Sequence, residues 1–179
     1  MNLDAGDPRL AFETWRREIG PLHYAFQYGE ATFIILNNVD PFVRGHHRGG
    51  ERGYVGRIGD ARLHFVRNVL RHVPREHLVV VSMHIPLVTY EDPTHPSDNT
   101  TNAAILLEIL SRRPNTVSFS GHSHTTEHHY LRPARGLHAA RPHHHHVLTA
   151  ACGSWWSGPA DTVGVPQSVS RDGTPRGQE

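Results

Sequence analysis

The sequence contains no lysine and a single cysteine. All 18 basic side chains are arginine, a bias that we attribute to GC-rich coding rather than to function. The lone Cys152 excludes an internal disulfide bond and leaves the redox compartment open. Hydrophobic residues make up 37% and charged residues 20% of the 179 positions, which indicates a globular chain rather than a disordered one.

Long apolar runs and an excess of charge are also missing. No stretch of about 18 apolar residues occurs, so no membrane-spanning helix is predicted. The opening residues Met1-Asn2-Leu3-Asp4 lack the basic and apolar regions of a signal peptide, and we leave the localisation open. A formal net charge of +1 provides no field to attract nucleic acid or an anionic membrane.

Histidine, by contrast, is abundant. Of the 17 histidines, several cluster between positions 122 and 146: His122, His124, His128, His129, His138 and His143 to His146. The tetrad His143–His146 lies between Pro142 and a β-like segment, Val147-Leu148-Thr149, so it does not resemble an expression tag.

The hydrophobic pattern predicts strands that alternate with helices, which is typical of an α/β layered domain. Apolar spacing and capping residues predict helices near residues 8–19, 60–73 and 101–110. A β-hairpin is predicted where Gly29-Glu30 separates two apolar stretches, 23–28 and 31–36. Buried strands are predicted at 78–83 and 116–119, and the Gly-, Arg- and His-rich residues 40–58 are predicted to form a long loop.

Two of the predicted buried strands end in histidine. His84 follows the first, and Gly121-His122-Ser123-His124 follows the second. Side chains two residues apart in extended backbone point to the same side, so His122 and His124 can converge. The carboxyl ends of strands are where α/β sheets bind ligands, and imidazole is the commonest metal-ligating side chain. We therefore predict one metal site with His84, His122 and His124 as nitrogen ligands.

The same residues resemble those of the calcineurin-like metallophosphoesterases. The resemblance rests on His84-Ile85-Pro86 after a Val-rich strand and on Gly121-His122-Ser123-His124 about forty residues later. It extends through Pro142–Pro159 to Arg171–Pro175, which look like the start of a C-terminal domain found in bacterial members. It implies part of a two-sheet β-sandwich flanked by helices, with residues 1–141 in the catalytic domain and 142–179 in the second domain.

The resemblance further implies phosphomono- or phosphodiester hydrolysis by water activated on two divalent ions of Mn, Fe or Zn. His84 and His122 would hold one ion and His124 the other. The resemblance assigns no catalytic residue to this chain. The oligomeric state stays open.

The chain departs from the family pattern at its beginning. The Asp-x-His, Gly-Asp and Gly-Asn-His-Asp motifs, which supply the bridging carboxylate and the remaining ligands, do not precede the hairpin. Met1-Asn2-Leu3-Asp4-Ala5 resembles the residues just past the last of these motifs. We therefore expect a fragment that lacks the N-terminal half of the catalytic domain. It should have open strand edges, partial metal occupancy at most and little or no activity.

Two other interpretations remain open at this stage. The chain could be a non-catalytic histidine-rich module that binds one Zn²⁺, Ni²⁺ or Cu²⁺ through His122 and His124, with or without residues of the tetrad His143–His146. Alternatively, it could be a structural remnant whose histidines bind no metal.

Overall fold

The computed structural model describes residues 10–44, 51–90, 92–132 and 142–149. These residues form α-helices and β-strands in the mixed order that the sequence predicts. The helices are α1 (Glu13–Glu18), α2 (Asp60–His72) and α3 (Ala103–Leu110). The strands are β1 (Tyr24–Tyr28), β2 (Ala31–Ile35), β3 (Val39–Arg44), β4 (Glu51–Gly56), β5 (Leu78–Ser82), β6 (Thr116–Ser120), β7 (Glu127–Leu131) and β8 (His143–Val147).

A six-stranded mixed sheet forms the centre of the molecule, in the order β1-β2-β5-β6-β8-β7. Strands β2, β5, β6 and β8 are parallel, while β1 and β7 pair antiparallel at the two ends. The predicted α/β class is confirmed. Because four parallel strands end at the same edge of the sheet, the loops that follow them meet there.

The hydrophobic core lies between one face of this sheet and helices α2 and α3. Leu63, Val66 and Leu70 of α2 are buried, as the predicted helical face requires. They pack with apolar residues of α3, β2 and β5: Leu106, Leu107, Ile109, Leu110, Ile34, Val79 and Val81. Arg113 donates hydrogen bonds to the carbonyl oxygens of Leu70, Val73 and Pro74, which satisfies the C-terminal end of α2.

Most of the predicted elements are present. The hairpin β1–β2 turns at Gly29, whose φ of 55° is the left-handed conformation that glycine adopts without strain. The first helix is shorter than predicted. Helix α1 spans Glu13–Glu18, and none of its residues is buried. The predicted start of this helix, at residues 8–9, lies outside the described residues. None of the described helices is long and apolar enough to cross a membrane.

The prediction of a long loop over residues 40–58 is wrong. Strands β3 and β4 form an antiparallel ribbon, which is a second sheet of the described chain. Gly56 ends β4 and forms a parallel bridge with Thr100. A Cβ atom at Gly56 would lie 2.1 Å from the carbonyl oxygen of Asn99, so only glycine permits this close approach of the two backbones.

The histidine tetrad forms strand β8, whereas the sequence predicted β-structure only after it. This strand follows the predicted domain boundary between residues 141 and 142 and pairs with β6 and β7 in the main sheet. The division into two domains stays a prediction, because residues 150–179 lie outside the described part of the chain.

Candidate metal centre

Two of the three predicted metal ligands meet at the carboxyl edge of the sheet. Nδ1 of His122, after β6, lies 3.1 Å from Nε2 of His84, after β5. Their rings cross at 70° with centroids 4.9 Å apart. His124 contributes, after burial and His122, to a lowered pKa of His84. The structure therefore brings His84 and His122 into contact, and the place of His124 in the same site stays a prediction.

Both histidines of the Gly-His-Ser-His motif have strained backbone. His122 has a φ of 75° and His124 a φ of 58°, and these are the non-glycine residues of the described chain with positive φ. Side chains other than glycine rarely adopt this conformation, and such residues concentrate at functional sites. The motif is therefore not in the extended conformation from which the convergence of His122 and His124 was predicted.

A carboxylate that the sequence did not single out completes the group. Oδ1 of Asp98 lies 3.3 Å from Nε2 of His122, on the side of the ring away from His84. Asp98 reaches this place because Asn99 fixes its loop: the Asn99 side chain donates to the carbonyl oxygens of Asp92 and His95 and accepts from the Thr89 N–H. No local pattern in the sequence marks Asp98, since this contact depends on distant segments.

The environment of His84 favours a neutral imidazole. Partial burial, together with the neighbouring His122 and His124, lowers the pKa of His84. A neutral ring presents a nitrogen lone pair to a metal ion, whereas a protonated ring does not. The group can therefore offer a ligand at neutral pH.

Residues of other segments hold and surround these histidines. Asn38, after β2, is fully buried, and its side-chain oxygen accepts hydrogen bonds from the backbone N–H groups of His84 and Ile85. Tyr54 of β4 packs edge-on against His122 with centroids 5.8 Å apart, and burial raises the pKa of Tyr54. Tyr54 and His84 also line a largely apolar cavity of about 620 Å³.

A buried polar network anchors strand β7 beside this edge. The Glu127 carboxylate accepts hydrogen bonds from the Thr89 and Thr125 hydroxyls and the Tyr90 N–H, and pairs with Nε2 of His129 at 2.7 Å. Burial alone would raise the pKa of Glu127, but these hydrogen bonds outweigh it and lower the pKa to about 2. Glu127 is therefore ionised and has a structural task, so we do not assign it to the metal centre.

The histidines of the tetrad contact residues of the neighbouring strands β6 and β7. His143 and His145 are buried and hydrogen-bond to the hydroxyls of Thr116, Ser118 and Ser120. His144 and His146 lie on the opposite side of β8, next to His128. The histidines of this region thus divide into separate groups.

Comparisons with known proteins agree with this fold. A family model described as the C terminal of calcineurin-like phosphoesterase matches residues 145–179. The chain resembles a dimetal phosphatase from Danio rerio, with 14% identity and a TM-score of 0.50, over 72% of this chain and 49% of the other. The sequence search against curated proteins gives no match.

Two further solved structures give lower scores. A purple acid phosphatase from yellow lupin (Lupinus luteus) seeds is 15% identical with a TM-score of 0.49, over 70% of this chain and 22% of the other. PhoD is 15% identical with a TM-score of 0.46, over 73% of this chain and 29% of the other.

The chain thus has the α/β architecture of a dimetal phosphatase, and the resemblance to calcineurin-like phosphoesterases that its motifs predict is confirmed. It spans about half, 49%, of the length of the Danio rerio phosphatase.

Proposed function

We propose that this chain is a portion of a metal-dependent phosphoester hydrolase and that His84, His122 and His124 hold its divalent metal. The observation that carries the proposal is the 3.1 Å approach of His84 Nε2 and His122 Nδ1 after two adjacent parallel strands. The left-handed backbone at His122 and His124 supports it, because strain of this kind persists where function requires it.

The donor atoms fit a metal ion. Two nitrogens bound at about 2.0–2.1 Å to one tetrahedral ion lie roughly 3.3 Å apart, close to the separation found here. Asp98 accepts from the outer nitrogen of His122, which is the usual way in which a carboxylate orients a metal-ligating histidine. A bound divalent ion would supply an activated water and stabilise negative charge on a phosphoryl group. Mn, Fe and Zn all suit mixed imidazole and carboxylate ligands, so the donor set leaves the choice among them open.

Metal binding is tested by the metal content of the purified full chain after dialysis against limiting Mn²⁺, Zn²⁺ or Fe²⁺. We expect the variants His84→Ala and His122→Ala to lose metal that the unchanged chain retains. Asp98→Asn should weaken binding by roughly 10–100-fold, because it disturbs the orientation of His122 without removing a ligand. His64→Ala, an exposed histidine of α2, is the matched control. Unchanged metal content in both ligand variants would contradict the assignment.

Hydrolysis distinguishes an enzyme from a metal-binding module. The substrates are p-nitrophenyl phosphate and bis(p-nitrophenyl) phosphate, with the metal that binds best. We expect weak turnover that His122→Ala abolishes. Turnover should be weak because Asp98 contacts the outer nitrogen of His122, and a carboxylate in that place would offset little of the repulsion if a second divalent ion bound beside the first. Turnover that persists in both His84→Ala and His122→Ala would contradict a hydrolase centre at these residues.

A further inference from the structure

A second group of histidines lies on strands β7 and β8. His128 of β7 is directly opposite His146 of β8 in the antiparallel register, and His144 is two residues from His146. Residues opposite one another, or two apart on one strand, share a face of the sheet. Their positions alone therefore place the three imidazoles side by side.

The three rings are in contact. His128 Nδ1 lies 3.3 Å from His144 Nε2, and His144 Nδ1 lies 3.2 Å from His146 Nε2. One nitrogen from each ring can be chosen so that all three atoms lie within 4.8 Å of one another. His128 is exposed and the other two are half-buried, so the group is accessible to an ion from solvent.

Neighbouring aromatic rings limit how two of these imidazoles can turn. Tyr130 stacks on His144, with centroids 4.4 Å apart and an interplanar angle of 16°. Phe119 of β6 stacks on His146 at 5.1 Å. Side chains held in this way lose less rotamer freedom when a ligand binds, which favours binding.

We propose that His128, His144 and His146 form a binding site for one divalent transition-metal ion of the zinc type. Three imidazoles with a fourth position open to water are a common zinc ligand set, and imidazole also suits Cu²⁺ and Ni²⁺. The three nitrogens lie within 4.8 Å of one another, whereas nitrogens bound to one tetrahedral ion are roughly 3.3 Å apart. Binding therefore requires some ring rotation, which the exposed His128 permits. The site shares no residue with the His84–His122 group.

The test measures Co²⁺ and Zn²⁺ binding to the full chain that carries His84→Ala and His122→Ala. We expect one equivalent of Co²⁺, with the visible absorption of a four-coordinate ion, and displacement by Zn²⁺. Adding His128→Ala is expected to lower the affinity at least about 100-fold, since loss of even an outer partner of a ligand costs roughly 10–100-fold. Adding His64→Ala instead should leave binding unchanged.

Two results would overturn the site: a folded background variant that binds no Co²⁺, or binding that survives His128→Ala and His146→Ala. Circular dichroism confirms folding. If the background variant does not fold, the same comparison in the unchanged chain applies, where His128→Ala should remove one equivalent. Failure of the proposed hydrolase centre gives a different pattern, in which His84→Ala and His122→Ala change nothing while His128→Ala still removes metal.

Discussion

Asn38 joins three segments of the chain through one buried amide. Its nitrogen donates to the Ile85 carbonyl oxygen at 2.6 Å and to the Thr100 hydroxyl at 2.8 Å, while its oxygen accepts from the N–H groups of His84 and Ile85. The turn that presents His84 therefore depends on a residue outside the proposed ligand set. At the residue scale, the candidate centre is built as much by such positioning side chains as by its ligands.

We expect Asn38→Ala to lower the free energy of unfolding by at least about 2 kcal/mol, because each buried group left without a hydrogen bond costs roughly 1–3 kcal/mol. Urea unfolding at pH 7 measures this loss. The matched control is Asn115→Ala, whose side chain donates one hydrogen bond to Glu76 near the surface and should cost less than about 1 kcal/mol. Equal losses in the two variants would contradict the role given to Asn38.

Individual site residues differ in how far the sequence reveals them. The positions of His84 and His122 side by side are predictable because each follows an apolar strand, and parallel strands bring their ends together. Asp98 and Asn38 are not, because their contacts with the histidine loops arise from the bridge between Gly56 and Thr100 and from the packing of distant turns. Polar loop residues of this kind have no periodicity that would single them out.

At the scale of the element, β8 is unusual because both of its faces carry histidine. His143 and His145 are buried against hydroxyl groups, and burial lowers the pKa of His143 to about 4 and of His145 to about 3. Both are therefore neutral in the folded chain at neutral pH. A histidine in the unfolded chain takes up a proton near pH 6.5, so acid favours unfolding.

We expect stability to be fully present above about pH 6.5 and to fall as the pH is lowered toward 4, because the unfolded chain then binds more protons than the folded one. Each buried histidine adds a slope of up to about 1.4 kcal/mol per pH unit in this range. Urea unfolding between pH 8 and pH 4, with a chelator present, measures it. His145→Asn should flatten the slope, whereas His64→Asn should not. An unchanged slope in His145→Asn would show that His145 does not titrate in this way.

Two elements escape prediction for physical reasons. Residues 40–58 are predicted as a loop because glycine, arginine, histidine and Pro41 are poor strand formers. In the structure, six residues of β3 nevertheless pair with six residues of β4, with Val39 opposite Gly56 at one end and Arg44 opposite Glu51 at the other. Histidine likewise has no strong strand preference, and β8 forms because β6 and β7 lie on both sides of it. By contrast, β5 and α2 carry their own hydrophobic patterns, which suffice to place them.

At the scale of the whole molecule, β1 leaves one end of the main sheet without a neighbour among the described strands. Its aromatic side chains are also exposed: 42% of Tyr24, 48% of Phe26 and 80% of Tyr28. An unpaired strand with large apolar side chains is a template for association with another chain. We therefore expect this edge to favour self-association of the chain.

We expect Tyr28→Lys to raise the fraction of monomer at a given concentration, because a charge on an edge strand opposes pairing. Sedimentation velocity over a range of concentrations measures it. The control, Ile19→Lys, adds the same charge at a 68% exposed residue that follows α1 and is not part of β1. Equal effects of the two changes would point to net charge rather than to the strand edge.

The four consecutive histidines also affect how the register of β8 against its neighbouring strands is determined. In most strands a slip of one residue moves the apolar side chains from the buried face to the exposed face, so the shifted register is strongly disfavoured. In β8, such a slip would put one histidine in the place of another at most positions. The histidines that now contact serine hydroxyls would face His128, and the histidines that now contact His128 would face the serines. The fully buried Val147, which pairs with Ser120, is the side chain that distinguishes the correct alignment from its neighbours. Among the five residues of β8, Val147 is therefore the one whose burial distinguishes the observed register, in which His143 and His145 face the hydroxyl groups of β6.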